Sequence, residues 1–348
     1  SEATSYYVCK ACLMLTAIMS TWTLLFGLFL ISAGSGLQVV LLGTRAPEAG
    51  FTNIATGIVM SGYFAGIFVG SIVVPHILAR VGHVRVFGAM SAIASSAVLV
   101  HVVFLDPSVW TSMRFASGFS FAGMYIVCES WLNEKATNET RGQLLSLYMI
   151  TNLGGMTAGQ LMISLGQSNS SGLFLLASIM VSIAVVPILV TAGTAPSFEA
   201  PDRISFRRLV QVSPLAVVGM VFVGIVVSML FGMGSVYGRS IGLNNTQVGY
   251  FMASITLGTL ALQYPIGRLS DRFDRRIVIF GVAVIAGIAI SIAGFFGVDQ
   301  FISLFILMLV FGGLLFSLYS LFIAHANDYL PPSQMVAMSS GLLMINSA

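Results

Sequence analysis

The ten residues Gly267–Arg276 read GRLSDRFDRR, and six of them are charged in a chain where Asp, Glu, Lys and Arg together make up only 8%. Charge that scarce and that concentrated marks a short turn held outside an apolar medium. The rest of the chain supplies the medium. Of its 348 residues 57% are hydrophobic, well above the roughly 45–50% apolar usage of soluble domains, and the mean hydropathy is +0.97. A bilayer core needs about 20 apolar residues per helix, so a chain of this length has room for about ten or eleven spans.

Apolar stretches long enough to cross fall near residues 14–42, 53–74, 84–104, 108–131, 142–165, 171–191, 212–238, 247–266, 277–297 and 300–323, and an eleventh begins near Met335. A chain end halfway across a bilayer would leave backbone groups unsatisfied, so the natural protein is expected to extend further. The polar interval from Thr194 to Arg208, with two prolines, separates six spans from the remainder and reads as a linker. The expected organisation is an N-terminal bundle over 1–193, a cytoplasmic linker over 194–210 and a C-terminal bundle over 211–348. A shift of 192 residues carries Asn53 onto Asn245, Gly57 onto Gly249, Gly66 onto Gly258, Arg80 onto Arg272 and Val86 onto Val278. Each copy runs helix, basic turn, helix, as duplicated bundles of one orientation do.

Lys and Arg set that orientation. Loops after even-numbered spans hold Arg80, Arg85, Lys135, Arg141, Arg203, Arg207, Arg208, Arg268, Arg272, Arg275 and Arg276, whereas loops after odd-numbered spans hold Arg45 and Arg239. The positive-inside rule then puts the even loops and both termini in the cytoplasm. A net charge of +3 spread this way gives nucleic-acid binding no support. Cys9 and Cys12 form a lone CxxC with no second pair to complete a zinc site, and read as packing residues. No Walker-type phosphate loop, nucleophile–base constellation or ligand cluster points to ATP use, an enzyme or a bound cofactor.

The quoted turn resembles the signature between adjacent helices of the major facilitator superfamily, G-x-L-[SA]-D-R-x-G-R-[RK], with Asp274 in place of the second glycine. PHILARVGHVR, from Pro75 to Arg85, is similar to a weaker copy that keeps Arg80 and Gly82. The resemblance implies an all-α membrane fold of two six-helix bundles and transport by rocking one bundle against the other. It also implies that Asp271 latches one state across the bundles, with Arg272, Arg275 and Arg276 as local partners. ESWLNEKATNETRGQLLSLYM, from Glu129 to Met149, is similar to an uncharacterised bacterial permease branch of that superfamily.

The fourth span holds the two charges that fall inside the membrane, Arg114 and Glu129. Intramembrane charge is costly by several kcal/mol and is a functional marker. Fifteen residues separate the two, roughly 22 Å at the helical rise, so they cannot pair. Glu129 is expected at the cytoplasmic end, accepting from Arg80, His83 or Arg85 as a first-half latch. A proton-carrying role is the alternative. RxxxGxxxA from Arg114 to Ala122 resembles a fourth-helix pattern of the superfamily whose arginine faces the central cavity. Arg114 then attracts an anionic substrate, unless it snorkels to headgroups beside Trp110. Gln38, Tyr125, Asn152, Gln160, Tyr237, Gln263 and Tyr319 complete the expected lining, since amides and phenols place fixed donors and acceptors in an apolar pocket. His101 and His325 are expected to touch solvent near helix ends.

The glycines of the second and fifth spans are expected to permit close backbone approach, on helices that the resemblance implies form contacts between the bundles, and Gly34 and Gly36 are expected to bend the first. The fifth span lacks the proline of the antiporter pattern, which argues against drug–proton antiport. The reading is a multi-pass inner-membrane secondary transporter of a small organic solute, with an anion favoured and with protons as the candidate coupling ion. The alternative is a non-transporting accessory subunit of a larger membrane complex.

Overall fold

Two helix starts separated by that 192-residue shift are capped alike. Thr52 accepts a hydrogen bond from the Ala55 amide at the start of α2 (Asn53–Val81). Asn244 accepts from the Gln247 amide at the start of α10 (Asn245–Ser270), and the Gln247 side chain reaches back to complete a capping box. The computed structural model describes residues 2–135, 140–166, 171–191, 206–296, 298–330, 338–339, 341–342 and 345–346, with side chains from Thr21 onward. The linker from 194 to 205, most of the eleventh apolar stretch and the side chains of Cys9 and Cys12 lie outside these.

The other helices are α1 (Glu2–Glu48), α3 (His83–Val103), α4 (Pro107–Lys135), α5 (Arg141–Leu161), α6 (Ser171–Ile183), α7 (Val185–Thr191), α8 (Phe206–Val212), α9 (Pro214–Ser240), α11 (Arg275–Ala293) and α12 (Phe301–Asn327). No strand occurs among the described residues. The sixth span is broken into α6 and α7 at Ala184. Pro187 explains the break, because it lacks an amide hydrogen and its ring crowds the carbonyl four residues earlier. Among the described residues seven spans are long and apolar enough to cross a membrane. Helices α4, α5 and α10 are not among them, and each carries some of the polar side chains described below.

Helix α2 packs along α4 in the first half, as α10 packs along α12 in the second. Gly66 and Gly258 sit at equivalent crossings. A Cβ at Gly66 would collide with the carbonyl oxygen of Phe115, and one at Gly258 with that of Leu309. The glycines of α2 and α5 admit the expected close backbone approach, and they do so inside the first half, while α5 meets α10 of the other half through other residues. Gly62, Gly66 and Gly70 lie against α4, and Gly155 and Gly159 against α1, all within the first half. Small residues admit close backbone approach wherever two helices cross; these crossings are internal, whereas Gly249 of α10 approaches the Gln160 carbonyl of α5 across the halves. The expected bend in the first span is absent as a helix break, since α1 runs unbroken through Gly34 and Gly36.

The described hydrogen bonds and ion pairs between the halves lie toward one end, the end of the odd-numbered loops. Thr157 Oγ1 of α5 is 2.8 Å from Thr256 Oγ1 of α10, which also donates to Gln160 Oε1 at 3.0 Å. Ser235 Oγ of α9 donates to the Val39 carbonyl of α1 at 3.5 Å. Arg239 Nη2 is 3.6 Å from Glu48 Oε1. The halves are thus joined near the odd-loop end.

Candidate functional site

Helix α4 begins on Asp106, whose carboxylate accepts from the amides of Ser108 and Val109 at 2.9 and 3.1 Å and from the Ser108 hydroxyl. The Ser108 hydroxyl first, then the Val109 amide, hold this exposed carboxyl below the ordinary aspartate range. One turn on, the Trp110 indole donates to the Phe104 carbonyl at 2.6 Å, and its ring packs edge-on against Phe51 and His101. Trp110 and His101 are both fully buried. His101 therefore does not touch solvent, and His325 is buried too. The ring of His101 is held by Trp110, with Nδ1 2.6 Å from the Ala97 carbonyl oxygen.

Arg114 follows one turn after Trp110 and is 1% exposed. A snorkelling arginine keeps its head in water, so that reading is excluded. The guanidinium lies over the Tyr63 ring at 4.3 Å, a cation–π contact. Arg114 Nε and Nη1 have no hydrogen-bond partner. Tyr63 is in turn fixed through its hydroxyl, 3.4 Å from Ser35 Oγ of α1. Gly62 lets α2 come this close, since a Cβ there would meet the Thr111 carbonyl oxygen at 2.7 Å. Beside them Gln38 Nε2 donates to Ser117 Oγ at 3.4 Å and leaves Gln38 Oε1 without a partner. Three helices of the first half thus converge on one permanently charged cation.

The remaining expected lining residues divide. Tyr125 is half-buried on α4, interacting with the hydroxyls of Ser32 and Ser35. Asn152 is half-buried on α5 beside the Tyr148 hydroxyl. Gln160 joins the seam to Thr256 between the halves. Gln263 Nε2 donates to Ser320 Oγ at 3.1 Å, tying α10 to α12. Tyr319 is half-buried on α12, close enough to interact electrostatically with Glu129. Tyr237 is not with the others. It is 41% exposed and lines an apolar groove of about 600 Å³ between α9, α11 and α12. A helix-wheel argument could not place it, because the rotation of α9 is set by its neighbours.

At the even-loop end Arg275 Nε lies 3.0 Å from Asp328 Oδ2, and its Nη2 3.7 Å from Asp271 Oδ1. Arg276 Nη2 donates to the Tyr329 hydroxyl at 2.7 Å. Asp271 and Arg272 are exposed, and every described partner of this turn belongs to the second half. Arg80 is exposed beside His76 on α2. The expected first-half latch is not formed. Among the described residues no ion pair joins Glu129 to Arg80 or Arg85, and His83 Nε2 lies 3.0 Å from Ser130 Oγ with its ring against Trp131. Glu129 instead is exposed and interacts with the phenols of Tyr148 on α5 and Tyr319 on α12. One rotation step along α4 explains the difference, since Ser130 and Trp131 face α3 and Glu129 faces away from it.

Tyr63 and Tyr148 were invisible to sequence reasoning. Tyr63 sits in an apolar glycine-rich run, GYFAG, where nothing in the spacing distinguishes a ring beneath a cation from a packing residue.

Two matched bundles of long apolar helices, joined near one end and with a buried cation inside the first, are the plan of a membrane solute carrier. The comparisons agree and name the family. The model of the Major Facilitator Superfamily matches residues 24–348, and the chain belongs to that superfamily. An uncharacterized MFS-type transporter, YcaD of Salmonella arizonae, is 30% identical over 337 residues, covering 94% of this chain and 86% of that protein. YcaD of Escherichia coli is 29% identical over the same length and shares. Among solved structures, the nucleoside transporter NupG superposes with a TM-score of 0.75 at 12% identity, over 94% of this chain and 87% of that one. A bacterial homolog of the lysosomal transporter Spinster, inward-facing and unoccupied, gives 0.76 at 14% identity, over 96% and 79%. These likenesses show the fold, and with the family match they make the chain a multi-pass membrane transporter.

Proposed function

We propose that the chain carries a small organic anion across the membrane by exposing a site at Arg114 alternately to the two sides. The observation that supports it is Arg114 itself. A guanidinium is charged at every physiological pH and offers only donors, and here it is buried with two nitrogens unpartnered. An unpaired buried charge is strongly unfavourable, so the arrangement suits a ligand that supplies the negative charge. The structural neighbours NupG and a D-xylose–proton symporter handle, by name, a nucleoside and a sugar. Small organic solutes of that kind set the expected size, and Arg114 adds the expected charge.

The excess of basic residues in the even loops orients them to the cytoplasm of an inner membrane. On that assignment the joined odd-loop end is periplasmic and the described state faces inward. Asp271, Arg272, Arg275, Arg276 and Arg80 are then the cytoplasmic residues that re-pair when the inner side closes. The test is thermal unfolding of the purified protein against a library of organic anions, with Arg114→Gln in parallel. An anion that stabilises the parent and not the variant supports the carrier reading; no stabilisation of the parent by any anion removes it.

Glu129 favours a proton-coupled form of this cycle. Its carboxylate is close enough to phenols of both halves to interact with them electrostatically, and it makes no ion pair with a basic side chain among the described residues. Closing the cleft would withdraw it from water, which disfavours the charged form. Uptake driven by a pH gradient in proteoliposomes should be lost in Glu129→Gln, with counterflow exchange retained. Gradient-driven uptake that survives the substitution excludes this form.

A further inference from the structure

We propose that Tyr63 is the positioning residue of the Arg114 site, its ring holding the guanidinium in place while leaving N–H groups free for an anion. This rests on the reading of Arg114 given above. Among the described residues Arg114 makes no ion pair. Its charge is met instead by the Tyr63 ring, whose centroid lies 4.3 Å from the guanidinium carbon. An aromatic face attracts a cation through its quadrupole, whereas a carboxylate attracts an arginine by taking up its N–H groups. Arg114 Nε and Nη1 are left without partners. A protein carboxylate in this place would compete with a ligand for those donors. A ring holds the cation and does not compete.

The ring can do this because two neighbouring helices fix its own place. A Cβ at Gly118, one turn past Arg114 on α4, would collide with the Tyr63 carbonyl oxygen, so the backbones of α2 and α4 touch at this level. On the preceding residue of α2, a Cβ at Gly62 would meet the Thr111 carbonyl oxygen at 2.7 Å and Arg114 Cβ at 3.4 Å. Tyr63 is buried, with its ring centroid 6.2 Å from that of the buried Phe121 on α4. Its hydroxyl is 3.4 Å from Ser35 Oγ of α1. Helix α2 thus sets the stem of Arg114 at Gly62 and its head at Tyr63. An arginine side chain carries much rotamer freedom, and immobilising such a chain at the moment of binding weakens affinity by about two- to tenfold. Tyr63 removes that loss by ordering Arg114 before the ligand arrives.

The experiment is thermal unfolding of the purified full chain with sodium lactate, benzoate, succinate and glucuronate as probes, the dissociation constant being read from the concentration dependence of the midpoint. For a probe that binds the parent, Tyr63→Leu should raise the dissociation constant about three- to tenfold. Tyr63→Phe keeps the ring and should hold it within about twofold of the parent's. Phe87→Leu is the packing control, since Phe87 is fully buried in the same apolar cluster as Tyr63 but sits on α3. It should lower the midpoint without ligand and leave the dissociation constant in place. Should Tyr63→Leu fail to fold, Tyr63→Met replaces it. A dissociation constant in the ring-free variant within about twofold of the parent's, or an equal rise in Phe87→Leu, overturns the proposal; the anion reading stands if Arg114→Gln abolishes the response. A rise in Tyr63→Phe as large as in Tyr63→Leu also overturns it, because the hydroxyl and not the ring would then hold the cation. If no probe stabilises the parent, the proposal and the anion reading fall together.

Discussion

Arg114 and Arg275 are two arginines at low exposure in opposite halves, and their surroundings differ in kind. Arg275 keeps 21% of its side-chain surface and spans two carboxylates, Asp328 at 3.0 Å and Asp271 at 3.7 Å. Arg114 keeps 1% and meets a phenol ring, with two of its nitrogens unpartnered. The first arrangement is complete within the protein and ties α11 to α12. The second is incomplete, and an incomplete buried charge is the mark of a site that a ligand finishes.

The comparison can be broken most directly by removing each cation. A stabilising anion present at 100 times its dissociation constant raises parent stability by about 2.7 kcal/mol. That gain should vanish in Arg114→Gln and persist in Arg275→Gln, as read by ligand-dependent thermal unfolding. Without ligand, Arg114→Gln should unfold no earlier than the parent, because it removes an uncompensated charge from the interior. An equal loss of ligand response in both variants would end the distinction.

Next in size are the crossings that hold each region in place. Gly66→Ala and Gly258→Ala each drive a methyl into a facing carbonyl, and overpacking of this kind costs about 1–3 kcal/mol. Both should lower the unfolding temperature alike, since they occupy equivalent crossings of the two halves. A large effect in one half alone would weaken the repeat as a structural statement.

Smaller effects are expected at the turn. Asp328→Asn loses the shorter of Arg275's two ion pairs, and with Asp328 48% exposed the loss should be about 0.5–1 kcal/mol. Asp271→Asn, at 73% side-chain exposure and 3.7 Å, should be close to neutral in an unfolding assay. The reverse order would mean that Asp271 holds a partner outside the described residues.

The smallest expected effect is at the start of α4. Asp106 is held below its ordinary range by the Ser108 hydroxyl and the Val109 amide. Its contribution is therefore present above the unfolded-state value and is lost as pH falls through the lower folded value. Asp106→Asn should remove a small acid-side slope from the stability profile. An unchanged slope would show that the cap does not titrate with folding.

Much of the fold was legible. Thr52 and Asn244 cap two helices 192 residues apart, and Gly66 and Gly258 occupy matching crossings. The two basic turns diverge within that repeat. Gly82 adopts φ +88° in the first, which side chains rarely tolerate, whereas Asp274 at φ −55° caps α11 through its bond to the Arg276 amide. The replaced glycine of the second signature is thus explained by local backbone geometry. The candidate site was legible in part. Arg114 stood out because charge is conspicuous in an apolar run, and Gln38 bonds Ser117 one turn along α4 from it. Tyr63 carried no such signal, and Tyr237 and the expected latch at Glu129 were misplaced.

By itself the sequence determined where the chain crosses, where its charges are excluded and that its halves repeat, because hydropathy, capping and glycine spacing are local properties read along one dimension. Only the tertiary structure decided that Arg114 lies over Tyr63, that Gln160 seams the halves and that Glu129 turns away from Arg80. Those contacts join residues far apart in the chain, and they depend on how each helix is rotated when its neighbours pack against it.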